Sequence, residues 1–124
     1  MTESKRIIRD LGPEEAHQLI QKMRDNPNFV IIDVRTPDEY ASAHLQSAIN
    51  LDYHATSFED ELGRLDREGI YLLYCLVGIR LRNAQKIMGD LGFAEVYNMT
   101  GGIRQWYLEK RPVVWPSQQR YMQK

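Results

Sequence analysis

An α/β three-layer fold, with a central, mostly parallel sheet of about five strands flanked by helices, is predicted by three features of the sequence. Two short runs, Phe29-Val30-Ile31-Ile32-Asp33-Val34 and Ile70-Tyr71-Leu72-Leu73-Tyr74, are almost continuously apolar, as strands covered on both faces are. Around them, apolar residues recur at helical spacing. Strands that alternate with helices need crossover connections, and these give parallel pairing. Ligands of such folds gather at the carboxyl ends of the strands. Cys75, the single cysteine of the chain, stands there, directly after the second run.

The elements follow in order. Leu11-Gly12-Pro13 opens a first helix, with Pro13 suited to its first turn. Ala16, Leu19, Ile20 and Met23 form one apolar stripe, and Asn26-Pro27-Asn28 ends the helix. After the first strand, Thr36-Pro37-Asp38-Glu39 reads as a capping box for a short helix. Ala48 to Leu51 forms a short strand, and Phe58, Leu62 and Leu65 mark another helix, closed by Glu68-Gly69. Beyond Cys75 a helix runs from about Gly78 to Leu91, and Gly92 is its left-handed terminating residue. Glu95 to Asn98 is a further strand, and Gly101-Gly102 turns into a last helical stretch through Trp106 and Tyr107. The sequence of 124 residues fits a single domain, with a polar tail after Pro116.

Composition narrows the function. An apolar fraction of 43% and a charged fraction of 27% suit a soluble globular domain. A net charge of −1 gives no basic surface for nucleic acid or an acidic membrane. No apolar run has the length of a membrane span. The N-terminal Met1 to Arg6 lacks a secretory pattern, so a reduced, cytoplasmic setting is expected. One cysteine excludes a disulfide framework. His17, His44 and His54 are scattered without metal-ligand spacing, so neither a metal nor another cofactor is expected.

Cys75 at a strand end, with a glycine-containing turn and a helix beyond, reads as a reactive thiol rather than a small buried hydrophobe. The backbone N–H groups of Leu76, Val77, Gly78, Ile79 and Arg80 can wrap around its sulfur where the helix presents its positive end. That arrangement holds a charged, accessible sulfur anion and needs only main-chain groups, leaving the Leu76, Val77 and Ile79 side chains to point outward. Gly78 serves either as a conformational hinge of the loop or as a plain helix-start glycine. Arg80 is placed to attract an anionic donor or tie down the loop; an exposed first-turn arginine is the alternative. Arg82 is expected to face solvent. Asp33, Arg35 and Glu39 could form an acid–base set, but a structural network in which Arg35 pairs a nearby carboxylate is the preferred reading. Trp106 and Tyr107 read as aromatics at the core edge.

Three stretches together resemble the rhodanese-like, single-domain sulfurtransferases. Asp33-Val34-Arg35, Glu39-Tyr40, Ala43-His44-Leu45 and Ala48 to Leu51 are similar to that family's amino-terminal signature. Tyr74-Cys75 through Gly78 and Arg80 are similar to its active loop. Gly92-Phe93, Val96-Tyr97, Gly101-Gly102-Ile103 and Trp106 are similar to its carboxy-terminal signature. The resemblance covers about residues 10–112 and leaves 113–124 as a tail. It departs at Leu76, Val77 and Ile79, where many active members have polar or basic residues, and at Ala43, Gln46 and Ser47 around the histidine.

The resemblance implies sulfur transfer through a Cys75 persulfide, from a small sulfur donor to a thiol or cyanide acceptor or a partner protein. It implies a hydrogen-bonded, structural His44. The apolar loop residues direct the expectation toward a protein or an apolar polysulfide rather than thiosulfate, and alternatively toward a non-catalytic module that docks a partner at the loop rim. Val113, Val114, Trp115 and Tyr121 could instead fold over that rim. A cysteine phosphatase is the closest other enzyme, but its loop of about seven residues ends in arginine where Leu81 stands here.

Overall fold

The computed structural model describes residues 6–77 and 81–116. In chain order the elements are β1 (Ile7–Leu11), α1 (Pro13–Met23), β2 (Phe29–Asp33), α2 (Pro37–Ser42), β3 (Ile49–Asn50), α3 (Phe58–Gly63), β4 (Ile70–Tyr74), α4 (Leu81–Asp90), β5 (Glu95–Met99) and α5 (Gly102–Leu108). The strands form one five-stranded parallel sheet in the order β1-β5-β4-β2-β3, as the alternation of strands and helices predicts.

Side chains alternate across each strand, so the sheet carries one apolar cluster per face. Leu72 and Tyr74 of β4 pack with Leu11, Ala16, Ile103 and Trp106, on the layer of α1 and α5. Tyr71 and Leu73, with Cys75 beyond them, pack with Phe58, Leu62, Ala84 and Met88, on the layer of α3 and α4. This separation decides which residues can meet the cysteine.

The local signals act as read. Pro13 occupies the first turn of α1. Thr36 and Glu39 form the reciprocal capping box of α2, with Glu39 N donating to Thr36 Oγ1 at 3.3 Å and Thr36 N to Glu39 Oε1 at 3.1 Å. Gly92 takes φ +89° beyond the end of α4. The expected start of α4 at Gly78 lies outside the described residues.

One strand was not read from the sequence. Ile7–Leu11 is the edge strand β1, paired with β5 from Ile7↔Glu95 to Leu11↔Met99. Only Leu11 of its five residues is buried. Arg9 and Asp10 break any apolar alternation, because a solvent-facing edge tolerates and uses charge. Its partner strand, 88 residues away at the first register pair, defines it.

Candidate active site

The end of β4 is fixed by the start of α5. Ile103 N donates to the carbonyl of Cys75 at 2.9 Å, and Arg104 N donates to that of Leu76 at 3.1 Å. Both carbonyls are therefore turned toward α5. In a trans peptide the C=O and the next N–H point in opposite directions, and there are no cis peptides among the described residues. The N–H groups of Leu76 and Val77 thus face away from α5. This contact requires Gly102. Its φ is +62°, and a Cβ there would lie 2.3 Å from Leu76 O and 2.5 Å from Cys75 O. The sequence reading took Gly101-Gly102 only as a turn; its role as a steric lock needs the strand-to-helix approach that no local pattern encodes.

Cys75 belongs to the apolar cluster on the α3/α4 layer and is 1% exposed. The expectation of an accessible sulfur is corrected here. Strand alternation carries the side chain inward on the same face as Leu73. Leu76 and Val77 are each 40% exposed, so their side chains point outward as predicted. Arg82 is exposed as well. Gly78, Ile79 and Arg80 lie outside the described residues. Leu81, at the arginine position of a phosphatase loop, is buried beside Cys75 in the apolar cluster.

Asp33, Arg35 and Tyr74 meet on the opposite face. Arg35 Nε donates to Asp33 Oδ1 at 3.0 Å and its Nη2 to Oδ2 at 2.8 Å, while the Arg35 backbone N also reaches Oδ1 at 2.9 Å. Arg35 Nη2 donates to the carbonyl of Ala43, and Leu45 N donates to Tyr74 Oη at 3.0 Å. The network ties the α2–β3 connection to the sheet. Burial alone would lower the Arg35 pKa, but the hydrogen bond and charge of Asp33 outweigh it and raise the pKa. Burial, reinforced by the Asp33 charge, holds the Tyr74 phenol far above its ordinary range. Asp33 and Tyr74 are in register across β2 and β4, with side chains away from Cys75. An acid–base role for this set at the sulfur is geometrically ruled out, and Glu39 is engaged in the α2 cap.

His44 donates from Nδ1 to Tyr40 O at 2.8 Å, since a carbonyl only accepts, and its ring stacks on Tyr40 with centroids 4.0 Å apart. Its backbone exchanges hydrogen bonds with Val114 at 3.0 and 2.8 Å. Trp115 packs edge-on against Tyr107. The described part of the tail is committed to these contacts, with Leu76 and Val77 still exposed; Tyr121 lies outside the described residues. Trp106 is buried at 2% and its Nε1 donates to Pro112 O at 2.8 Å, which fits a core aromatic, whereas Tyr107 is 54% exposed.

Clefts lie on both faces of the sheet among the described residues. One of about 410 Å³ lies against Phe29, Ile31, Leu45 and Trp106, on the layer opposite the cysteine. Another, of about 380 Å³, adjoins the loop itself through Val77 and Leu81. No group of three or more His, Cys, Asp or Glu residues among the described residues could hold a metal ion. No helix among them is long and apolar enough to cross a membrane.

Comparison with known proteins places this geometry. The rhodanese-like domain family matches residues 15–109. The thiosulfate sulfurtransferase GlpE of Stutzerimonas stutzeri is 32% identical over 106 residues, covering 86% of this chain and 87% of that protein. The GlpE protein of Coxiella burnetii is 34% identical over 100 residues, covering 81% and 88%. A tRNA uridine(34) hydroxylase of Legionella pneumophila is 36% identical, but this chain spans 40% of its length. Among solved structures, a rhodanese-related protein from Thermoplasma volcanium superposes with a TM-score of 0.73 at 24% identity, covering 86% of this chain and 97% of that one, which is a likeness of fold. With the parallel sheet, the cysteine at the end of β4 and the match over residues 15–109, the chain belongs to the rhodanese-like domain family.

Proposed function

We propose that this protein is a sulfurtransferase that moves a sulfane sulfur from a donor to a thiophilic acceptor through a persulfide on Cys75. The observation that carries the reading is the pair of amides, Leu76 and Val77, turned away from α5 because α5 holds the preceding carbonyls; this reading directs them at the outer sulfur. An outer persulfide sulfur bears negative charge, and fixed main-chain donors stabilise such charge without reorganising. Gly78, Ile79 and Arg80, which the sequence reading assigns to the same loop, lie outside the described residues. The curated relatives named thiosulfate sulfurtransferase support the same reaction class.

In the first step the Cys75 thiolate attacks the outer sulfur of thiosulfate, a polysulfide or a protein persulfide. A new S–S bond forms, and the donor leaves with the electron pair of the broken bond. In the second step a thiolate or cyanide attacks the outer sulfur, and Cys75 leaves as thiolate. Since Cys75 is 1% exposed, the donor enters through the loop, past the apolar side chains of Leu76 and Val77. That rim suits a polysulfide or a protein donor better than hydrated thiosulfate.

The test is intact-mass measurement after exposure to thiosulfate or polysulfide, with Cys75→Ser beside the wild type. A gain of about 32 Da, one sulfur atom, is expected in wild type alone. A folded wild type that gains no mass with thiosulfate, polysulfide or a persulfidated protein would refute the transfer reaction and favour the other use of the exposed rim, a docking module without turnover.

A further inference from the structure

We infer that the cleft beside the loop is a subsite for acceptor thiols that carry an ammonium group, of the amino-acid thiol class; this rests on the sulfur-transfer reading above. The cleft of about 380 Å³ reaches the loop at Val77 and Leu81 and the start of α5 at Gly101. Among the residues lining it is Asn98, which is 2% exposed. Asn98 Nδ2 donates to Asp10 Oδ1 at 3.4 Å. A carboxylate can only accept, so this contact fixes the orientation of the amide and turns Asn98 Oδ1 away from Asp10. That oxygen is buried and has no hydrogen-bond partner. Native proteins rarely leave such an acceptor unsatisfied, and doing so is costly.

Register places the orphan acceptor near the sulfur. Asn98 pairs with Asp10 on one side and with Leu73 on the other, so its side chain shares the face of Leu73 and Cys75. Adjacent strands are about 4.8 Å apart and rise about 3.3 Å per residue, which sets the Cα atoms of Asn98 and Cys75 about 8 Å apart. A small thiol attacking a persulfide on Cys75 could span that gap with a group two or three atoms from its sulfur.

The chemistry of the lining selects that group. Asn98 Oδ1 and the Asp10 carboxylate both accept, so the ligand must donate, and the negative charge of Asp10 favours a cation. An ammonium donates to Asn98 Oδ1, and the nearby Asp10 charge favours it over a neutral donor. Arg82, exposed on the same cleft, suits a carboxylate on the same molecule. An α-amino acid thiol offers both groups. In the transfer, its thiol proton goes to solvent and its thiolate attacks the outer sulfur of the persulfide. One S–S bond forms, the bond to Cys75 breaks, and Cys75 keeps that electron pair.

L-cysteine and 3-mercaptopropionate differ by the ammonium group alone, so they make the test. Wild type, Asp10→Asn and Asn98→Leu are loaded with polysulfide, and loss of the added sulfur is followed by quenched intact mass with each acceptor. Comparing the ratio of the two rates across variants cancels the intrinsic difference between the thiols. The wild-type preference for cysteine is expected to fall about ten-fold in Asn98→Leu and roughly two- to four-fold in Asp10→Asn. Asp10 is exposed, so its variant decides the matter should Asn98→Leu fail to fold. A ratio within about two-fold of wild type in Asn98→Leu, or no change at all in Asp10→Asn, would overturn the subsite and leave Oδ1 to a water molecule. Failure of wild type to load from polysulfide and from a persulfidated protein alike would overturn the sulfur-transfer reading itself, and this inference with it.

Discussion

Replacing Gly102 by alanine tests the lock between α5 and the cysteine loop. The left-handed φ of +62° costs a non-glycine residue about 1–2 kcal/mol. A Cβ 2.3 Å from Leu76 O and 2.5 Å from Cys75 O must also displace backbone rather than a flexible side chain. Overpacking of that kind adds about 1–3 kcal/mol. The sum, about 2–5 kcal/mol, lowers the melting temperature by roughly 8–20 °C in a domain of this size. Gly92→Ala is the control, because Gly92 has φ +89° with no atom within 4 Å of the added carbon. It carries the backbone strain alone, roughly 4–8 °C. Thermal melts followed by circular dichroism separate the two variants. Sulfur loading of Cys75, measured by mass well below both melting points, should be slowed in Gly102→Ala and not in Gly92→Ala, since only the first moves the Cys75 and Leu76 carbonyls. Equal melting points for the two variants, with wild-type loading in Gly102→Ala, would refute the lock.

Four further outcomes are expected. Asp33→Ala leaves the Arg35 guanidinium buried without its carboxylate and should destabilise by about 3–5 kcal/mol in a denaturant titration. Tyr74→Phe strands the buried Leu45 N–H and should cost about 1–3 kcal/mol without altering sulfur loading, because Tyr74 lies on the face opposite Cys75. The Tyr97 phenol is pushed up to about 12 by burial first and by the Glu95 carboxylate second, from an ordinary value of 10. A raised phenol stabilises the fold fully below pH 10 and loses that contribution as pH climbs toward 12, so wild type should lose more stability over this window than Tyr97→Phe. Leu76→Arg should speed loading from thiosulfate and slow loading from polysulfide in the mass assay, and no change in either would remove the apolar rim from donor choice.

The legible parts of this molecule are those whose signals are local. The apolar runs of β2 and β4, the Thr36–Glu39 box and Gly92 each act within a few residues, and each stands where its chemistry dictates. The place of Cys75 at the end of β4 follows from the same logic, as does the outward direction of Leu76 and Val77. The pairing of Arg35 with a carboxylate was foreseen, though not that Asp33 and Tyr74 share the face opposite the sulfur. That fact depends on strand register. The parts not legible join distant segments. β1 has no apolar alternation of its own and exists through pairing with β5. Gly102 meets Leu76 only after α5 folds back to β4. Asp10 and Asn98 are 88 residues apart, so no motif could announce their contact. Burial of Cys75 is not legible because a short strand end reads the same whether its last side chain is covered or exposed.

The pairing of β1 with β5 has a consequence for synthesis of the chain. Ile7 waits for Glu95, and at about 5–20 residues per second the ribosome needs roughly 4–18 s to make the intervening stretch. During that interval β2 and β4 can already associate, while the amino-terminal segment remains without its neighbour. The edge of the sheet, and with it the meeting of Asp10 and Asn98, thus waits until β5 has been made. Arg9 and Asp10, which leave β1 without an apolar alternation, also give this waiting segment the charge that discourages edge pairing with other chains.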